Sequence, residues 1–160
     1  RRGKRMLSPE YGGDGKTPAP EGKYSDPLIA FPAHWAPNDI LFYDGKAFPA
    51  KYRGGAFIAF HGSWNRAPLP QRVYNVTFVP FKKDQVAGPW RIFIDNFAGG
   101  EIPDNHPANA AYRPLGLATD RRGLLYVMDS KQGRIWRIHY AGNARALKKL
   151  AARSKSRPSE

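Results

Sequence analysis

The chain has 160 residues and no cysteine, which is long enough for one domain with a sizeable core and excludes disulfides, thiolate metal sites and a cysteine nucleophile. Its net charge of +13 points first to nucleic acid, yet four of the 26 basic residues lie in 1–5 and six in 144–160, leaving 16 basic against 12 acidic residues, a net +4, over 6–143. Basic ends of this kind are usually solvated tails, which argues against nucleic acid, and no apolar run approaches the roughly 20 residues of a membrane helix.

In chain order, the start Arg1-Arg2-Gly3 is expected of a processed chain or a piece of a longer one, and residues 1–27 are polar, rich in Gly and Pro, and read as loop. Asp14, in Gly12-Gly13-Asp14-Gly15, lacks the further acidic ligands of a Ca2+ loop and reads as a turn. Short runs rich in Phe, Tyr, Ile, Val and Trp then follow at 39–43, 56–60, 74–81, 90–97, 115–119, 124–128 and 134–140. Such residues suit a pleated surface, and the 16 Gly and 15 Pro fall between the runs as turn formers, which predicts many strands joined by turns. In 74–81, Tyr74, Val76 and Phe78 share one face and Asn75, Thr77 and Val79 the other. The one good helix candidate is 144–153, with Asn143 as its N-cap and Leu147, Leu150 and Ala151 on one face.

The runs repeat. Each unit opens on a Pro-led strand (Ala36-Pro37-Asn38, then Arg113-Pro114-Leu115), passes a Gly turn into a buried strand, crosses a polar loop and returns. Four antiparallel strands in that order make a propeller blade. The fold class is therefore all-β: a partial β-propeller of about two to three blades with a short C-terminal helix or tail.

Blade topology sorts the loops. His34 precedes the first strand of the first blade, and His61-Gly62-Ser63-Trp64-Asn65-Arg66 follows its second. Arg113 opens the second blade and Asp129-Ser130-Lys131 follows its second strand. All four segments are expected at one mouth of a channel, where arginine forks would take carboxylates and Trp35 or Trp64 would stack on a planar ring. The plain alternatives are a turn-capping role for His61, a packed His34, an Arg113 paired with a rim carboxylate, and turn roles for Asp129 and Lys131. His106 and His139 show no metal spacing with the other histidines.

At these residues the sequence resembles a known family. The strings FPAHWAPNDILFY, YRGGAFIAFHGSWNRAPLPQ, YRPLGLA and GLLYVMDSKQGRIWRI are similar to the C-terminal portion of the sorbosone/glucose dehydrogenase family of quinoproteins, and RMLSPEYGGDGK resembles the segment before it in the sorbosone-type branch. The resemblance covers about residues 5–140. It implies a six-bladed propeller, pyrroloquinoline quinone (PQQ) at the channel mouth with Ca2+ beside it, and a periplasmic or secreted location. Arg113 matches an arginine holding a PQQ carboxylate, Asp129 an acidic PQQ contact, and His34 a residue lining the pocket. His61, Asn65 and Arg66 occupy a loop that supplies a cationic contact. Arg66 stands in for a lysine there, and Lys131 is a further cation.

The implied reaction is hydride transfer from a sugar or aldose to the quinone, with a cytochrome or quinone as electron acceptor. The catalytic histidine and the Ca2+ loop belong to N-terminal blades, so no catalytic or metal-binding residue is assigned in this chain. The isolated chain is expected to be inactive without an N-terminal propeller half as partner. Residues 1–143 are then the C-terminal part of the propeller domain and 144–160 a basic helical or disordered tail. The alternative is a non-catalytic propeller fragment that binds a ligand or partner.

Overall fold

A computed structural model describes residues 6–22, 25–66, 68, 69, 71, 73–100 and 107–142. The proposed helix and tail, the basic start and His106 lie outside the described residues. The chain divides into two compact units, Arg1–Ala30 and Phe31–Glu160. In the first, Met6 bridges Pro18 antiparallel, and a 3-10 turn at Pro9–Tyr11 ends on Gly12 with φ of 81°. Asp14 is the turn residue its sequence implied. Its carboxylate accepts from the Thr17 hydroxyl (2.6 Å) and from the Thr17 and Lys16 N–H groups (2.6 and 2.8 Å), and these bonds hold its pKa down to about 2.

The second unit contains two antiparallel sheets and no α-helix among its described residues. Sheet one comprises β1 (Pro37–Tyr43), β2 (Gly55–Phe60), β3 (Asn75–Lys82), β4 (Gln85–Val86) and β5 (Arg91–Ile94). Its strands run β1-β2-β3-β5, with β4 a short hairpin at the far end of β3. Sheet two comprises β6 (Pro114–Thr119), β7 (Leu125–Asp129) and β8 (Ile135–Ile138), in that order. The architecture is the all-β, partial-propeller-like one expected. The runs at 90–97 and 134–140 form strands of only four residues each, and β4, two residues long, had no sequence signal.

The core forms where β6 lies over β1 and β2. Phe57, Phe78, Val76 and Tyr43 of sheet one meet Leu125 and Val127 of sheet two, with Trp136 and Leu117 packed against them. Phe57 touches the rings of Tyr43, Phe78 and Phe93 at 5.2, 5.1 and 4.6 Å. Edge and tilted contacts of this kind add to area burial. The alternation read in 74–81 is present, but both of its faces are buried, Thr77 and Val79 as fully as Val76 and Phe78. The far face is covered in part by Phe31, Trp35 and Trp90 around Phe60.

Two polar pins fix the sheets against each other. The Asp39 carboxylate accepts from Leu117 N–H at 2.6 Å. The buried Tyr43 hydroxyl donates to the Gly123 carbonyl at 2.8 Å and accepts from Ala47 N–H at 3.2 Å. Removing one partner strands the other in a dry place. Tyr43→Phe is therefore expected to cost about 1–2 kcal/mol, read as a lower denaturant midpoint with an unchanged m-value.

Candidate functional site

The start of β1, the end of β2, the start of β6 and the end of β7 meet at one end of the two sheets, as the loop sorting anticipated. Backbone bonds tie them together. His61 N–H donates to Ala36 carbonyl at 2.9 Å, Gly62 N–H to Trp35 carbonyl at 3.3 Å, and Ser130 N–H to Arg113 carbonyl at 3.2 Å.

Arg113 sits at the centre. Its Nε donates to the His61 carbonyl (3.1 Å) and its Nη2 to the Gly62 carbonyl (3.2 Å). The guanidinium lies over the Tyr74 ring, 5.8 Å from its centroid. The Tyr74 hydroxyl in turn donates to the Ser63 carbonyl at 3.1 Å. Gly62 is required here: its φ is 88°, and a Cβ would fall 2.1 Å from Tyr74 Cε1. The half-buried guanidinium has no carboxylate within ion-pair distance among the described residues. Among the described residues, then, no rim carboxylate pairs with Arg113. Burial lowers its pKa from the usual arginine value, yet arginine stays charged at any working pH. A desolvated positive charge without a counter-ion among the described residues is the main electrostatic feature of this end.

His61 is half-buried, and its Nε2 lies 2.8 Å from the Ser130 hydroxyl. Burial lowers its pKa from 6.5, the Arg113 charge lowers it further, and Asp129 opposes both weakly. The imidazole is thus neutral at pH 7. Its folded pKa lies below its unfolded one, so stability is full above pH 6.5 and falls as the unfolded chain takes the proton first. The expected loss between pH 7 and 5.5 is under about 1 kcal/mol, because the ring is partly solvated. His61→Gln should flatten that slope in paired denaturation curves.

Asp129 is 1% exposed. Its carboxylate faces the backbone and accepts N–H groups of Arg113 (2.6 Å), Gln132 (2.7 Å) and Lys131 (3.1 Å). It shapes the turn that presents Arg113 and Ser130. Lys131 is also engaged: its Nζ donates to the carbonyls of Ala108 and Ala110. His34 is exposed in the turn before β1, with φ of 65°. Asn65 is exposed and Arg66 half-buried on the loop after β2. Trp35 is packed against Phe60 and Trp90 (5.2 and 5.4 Å) and so is not a free stacking surface, whereas Trp64 is 69% exposed.

Of the residues expected here, His61, Arg113 and Asp129 are in one hydrogen-bonded group. Among the described residues no such bond ties the side chains of His34, Asn65 or Arg66 into it, and Lys131 joins it through its backbone N–H. Two members escaped sequence reasoning. Tyr74 read as one more strand aromatic, and Ser130 as a turn residue beside Asp129. No local signal marks either, since their partners are 39 and 69 positions away, Arg113 and His61 respectively.

Comparison with known proteins bears on the family. The family model for TrAA12-like proteins matches residues 13–141. An uncharacterized protein of Borreliella burgdorferi is 32% identical over 132 residues, covering 81% of this chain and 32% of the relative. A pyrroloquinoline quinone-dependent pyranose dehydrogenase of Coprinopsis cinerea is 29% identical over 153 residues, covering 82% of this chain and 20% of the relative. The chain thus spans about a third and a fifth of the length of these relatives, and no solved structure gives a significant match. With most of its length matched, the chain is a member of the TrAA12-like family.

Proposed function

We propose that the chain contributes the C-terminal part of a PQQ-dependent sugar dehydrogenase, of the sorbosone or glucose type, and that the end of the sheets around Arg113 receives the cofactor. The observation that carries this is the half-buried guanidinium, anchored on two backbone carbonyls and without a carboxylate partner among the described residues. PQQ is a flat tricarboxylate, and a desolvated arginine fork fits a carboxylate better than any other side chain. The His61 and Gly62 carbonyls fix two N–H groups of Arg113, which orients the rest of the fork. Tyr74 backs the guanidinium and keeps water from that side. His61, neutral and bonded to Ser130, adds a hydrogen-bonding edge, and exposed Trp64 offers a stacking face nearby. In this reading His34, Asn65 and Arg66 line the mouth, while Asp129 and Lys131 hold the loops that form it.

When bound, PQQ supplies the hydride acceptor for sugar oxidation. No group of three or more His, Asp or Glu able to hold a metal occurs among the described residues. The Ca2+ ligands, the catalytic base, the acceptor, whether cytochrome or quinone, and the exported location are assigned by resemblance to a larger assembly. The second reading is a ligand-binding propeller fragment without turnover.

Titration of the chain with PQQ, with and without Ca2+, followed by tryptophan fluorescence, tests the proposal. Saturable quenching supports a cofactor half-site. A folded chain that shows no quenching at saturating PQQ overturns it. Sugar-dependent dye reduction on adding the N-terminal blades of a relative would separate the catalytic reading from the binding one.

A further inference from the structure

A pair of side chains at the Arg113 end bridges the two sheets. His61 follows β2 and Ser130 follows β7, 69 positions away, and the ring Nε2 of one lies 2.8 Å from the hydroxyl of the other. Other atoms tie both residues to Arg113. The His61 carbonyl accepts from Arg113 Nε at 3.1 Å, and Ser130 N–H donates to the Arg113 carbonyl at 3.2 Å. Asp129, next to Ser130 in the chain, spends its carboxylate on the N–H groups of Arg113, Lys131 and Gln132. Its charge is met from within the turn. Ser130 itself is exposed, and among the described residues its hydroxyl makes no bond besides the one to His61.

A count of hydrogens decides what this pair can offer. A neutral histidine carries one N–H and a serine one O–H. One of the two hydrogens is used between Nε2 and Oγ, and the other is left over. If Ser130 donates to the ring, the spare hydrogen is on Nδ1 of a half-buried imidazole, and the exposed hydroxyl oxygen shows only lone pairs. If His61 donates to Ser130, the spare hydrogen is the hydroxyl's own, on the exposed residue. An anion beside Arg113 is repelled by the first arrangement and bound by the second. Burial and the Arg113 charge both disfavour a protonated ring, so the pair is neutral near pH 7 and the count holds.

We propose, resting on the PQQ reading above, that the Ser130 hydroxyl is a second ligand donor, held in direction by His61 Nε2–H, and that it takes an oxygen of the same anion that Arg113 binds. Arg113 supplies the charge. Ser130 supplies a neutral donor whose aim is fixed from the other sheet. Both residues sit at the open end of the β6–β7 hairpin, where Pro114 pairs with Asp129. One rigid unit thus carries both donors, as a selective site requires. The ligand class this selects is a rigid anion with acceptor oxygens at more than one place on its frame, which a flat polycarboxylate has. His61 is on this account a positioning residue, and the atom that meets the ligand is Ser130 Oγ.

PQQ affinity of the full chain, read by tryptophan quenching near neutral pH, is compared with that of Ser130→Ala and Ser130→Thr. Ser130 is exposed and its backbone bond to Arg113 needs no side chain, so neither substitution is expected to unfold the chain. The alanine variant should bind PQQ about tenfold or more weakly, the loss of a hydrogen bond to a charged group. The threonine variant keeps the hydroxyl and should stay within about threefold of the native chain. In the 15N-labelled complex with PQQ, the shifts of the two His61 ring nitrogens should place the proton on Nε2. A role in stability alone would move neither the affinity nor the tautomer. Equal PQQ affinity in the native and alanine chains overturns this inference and leaves the PQQ reading standing. A proton on Nδ1 in the complex does the same, as does a threonine chain as weak as the alanine one. A native chain that binds no PQQ fails before any variant is compared and takes both down.

Discussion

Arg113→Ala is expected to weaken PQQ binding by about 1.5–3 kcal/mol, roughly 10- to 150-fold in dissociation constant, the range for hydrogen bonds to a charged group. Two N–H groups of the fork are spent on the His61 and Gly62 carbonyls, and the remaining ones are aimed by that anchoring. The substitution therefore removes both a charge and a fixed direction. Arg113→Lys separates the two, because a lysine keeps the charge but cannot hold both carbonyls and present a flat edge. It should recover part of the affinity and lose most of the dependence on ligand geometry. Measured as quenching by PQQ and by a simple aromatic dicarboxylate, the native chain should prefer PQQ strongly and the lysine variant weakly. Equal PQQ affinity in native and alanine chains, both folded by circular dichroism, would remove Arg113 from the site. Trp64, exposed beside this end, makes fluorescence a suitable reporter.

Much of the strand order was legible because it depends on local chemistry. The Pro-led strands, the Gly turns and the aromatic runs each mark their own element, and the repeat of the pattern from β1 and β2 to β6 and β7 gave the pairing. What could not be read depends on which distant surface arrives. The alternation at Tyr74–Val79 suggested two different faces, and only the arrival of sheet two on one side and of Phe31, Trp35 and Trp90 on the other makes both dry. The site divides in the same way. Arg113 and His61 stood out because the repeat places both at one end of the sheets and the resemblance marks them. Tyr74 and Ser130 differ from other aromatic and turn residues only by their neighbours. Asp129 shows the limit most clearly. The repeat puts it at the same end of the sheets as Arg113, but whether a carboxylate at a turn faces a ligand or its own backbone depends on where the N–H groups of Arg113, Lys131 and Gln132 point.

That orientation gives Asp129 the largest expected effect on stability. Asp129→Ala removes the acceptor of three backbone N–H groups at 2.6, 2.7 and 3.1 Å. Each unmet donor away from water costs about 1–3 kcal/mol, and the three share one site, so the expected loss is about 3–5 kcal/mol. Native domains have only about 5–15 kcal/mol in total. The alanine chain should then be largely unfolded at 37 °C or lose most of its cooperative denaturant transition. Asp129→Asn keeps one oxygen for the Arg113 N–H and should cost less. Burial by itself raises the Asp129 pKa, but the N–H groups of Arg113, Gln132, Lys131 and Arg134 outweigh it, and the net shift is below 3.8. A carboxyl whose folded pKa lies below its unfolded one contributes stability that is present above pH 3.8 and lost as pH falls through the folded value. The native chain should therefore lose stability below pH 3.8 with a slope that the asparagine variant lacks in part, the remainder belonging to Asp14 and Asp120, which also titrate low, at about 2. Urea midpoints at pH 7 and pH 3 for the two chains measure this. If both lose the same stability between the two values, Asp129 is not ionised against its turn. If the asparagine variant also binds PQQ as tightly as the native chain at pH 7, Asp129 acts on the cofactor only by holding Arg113 in place.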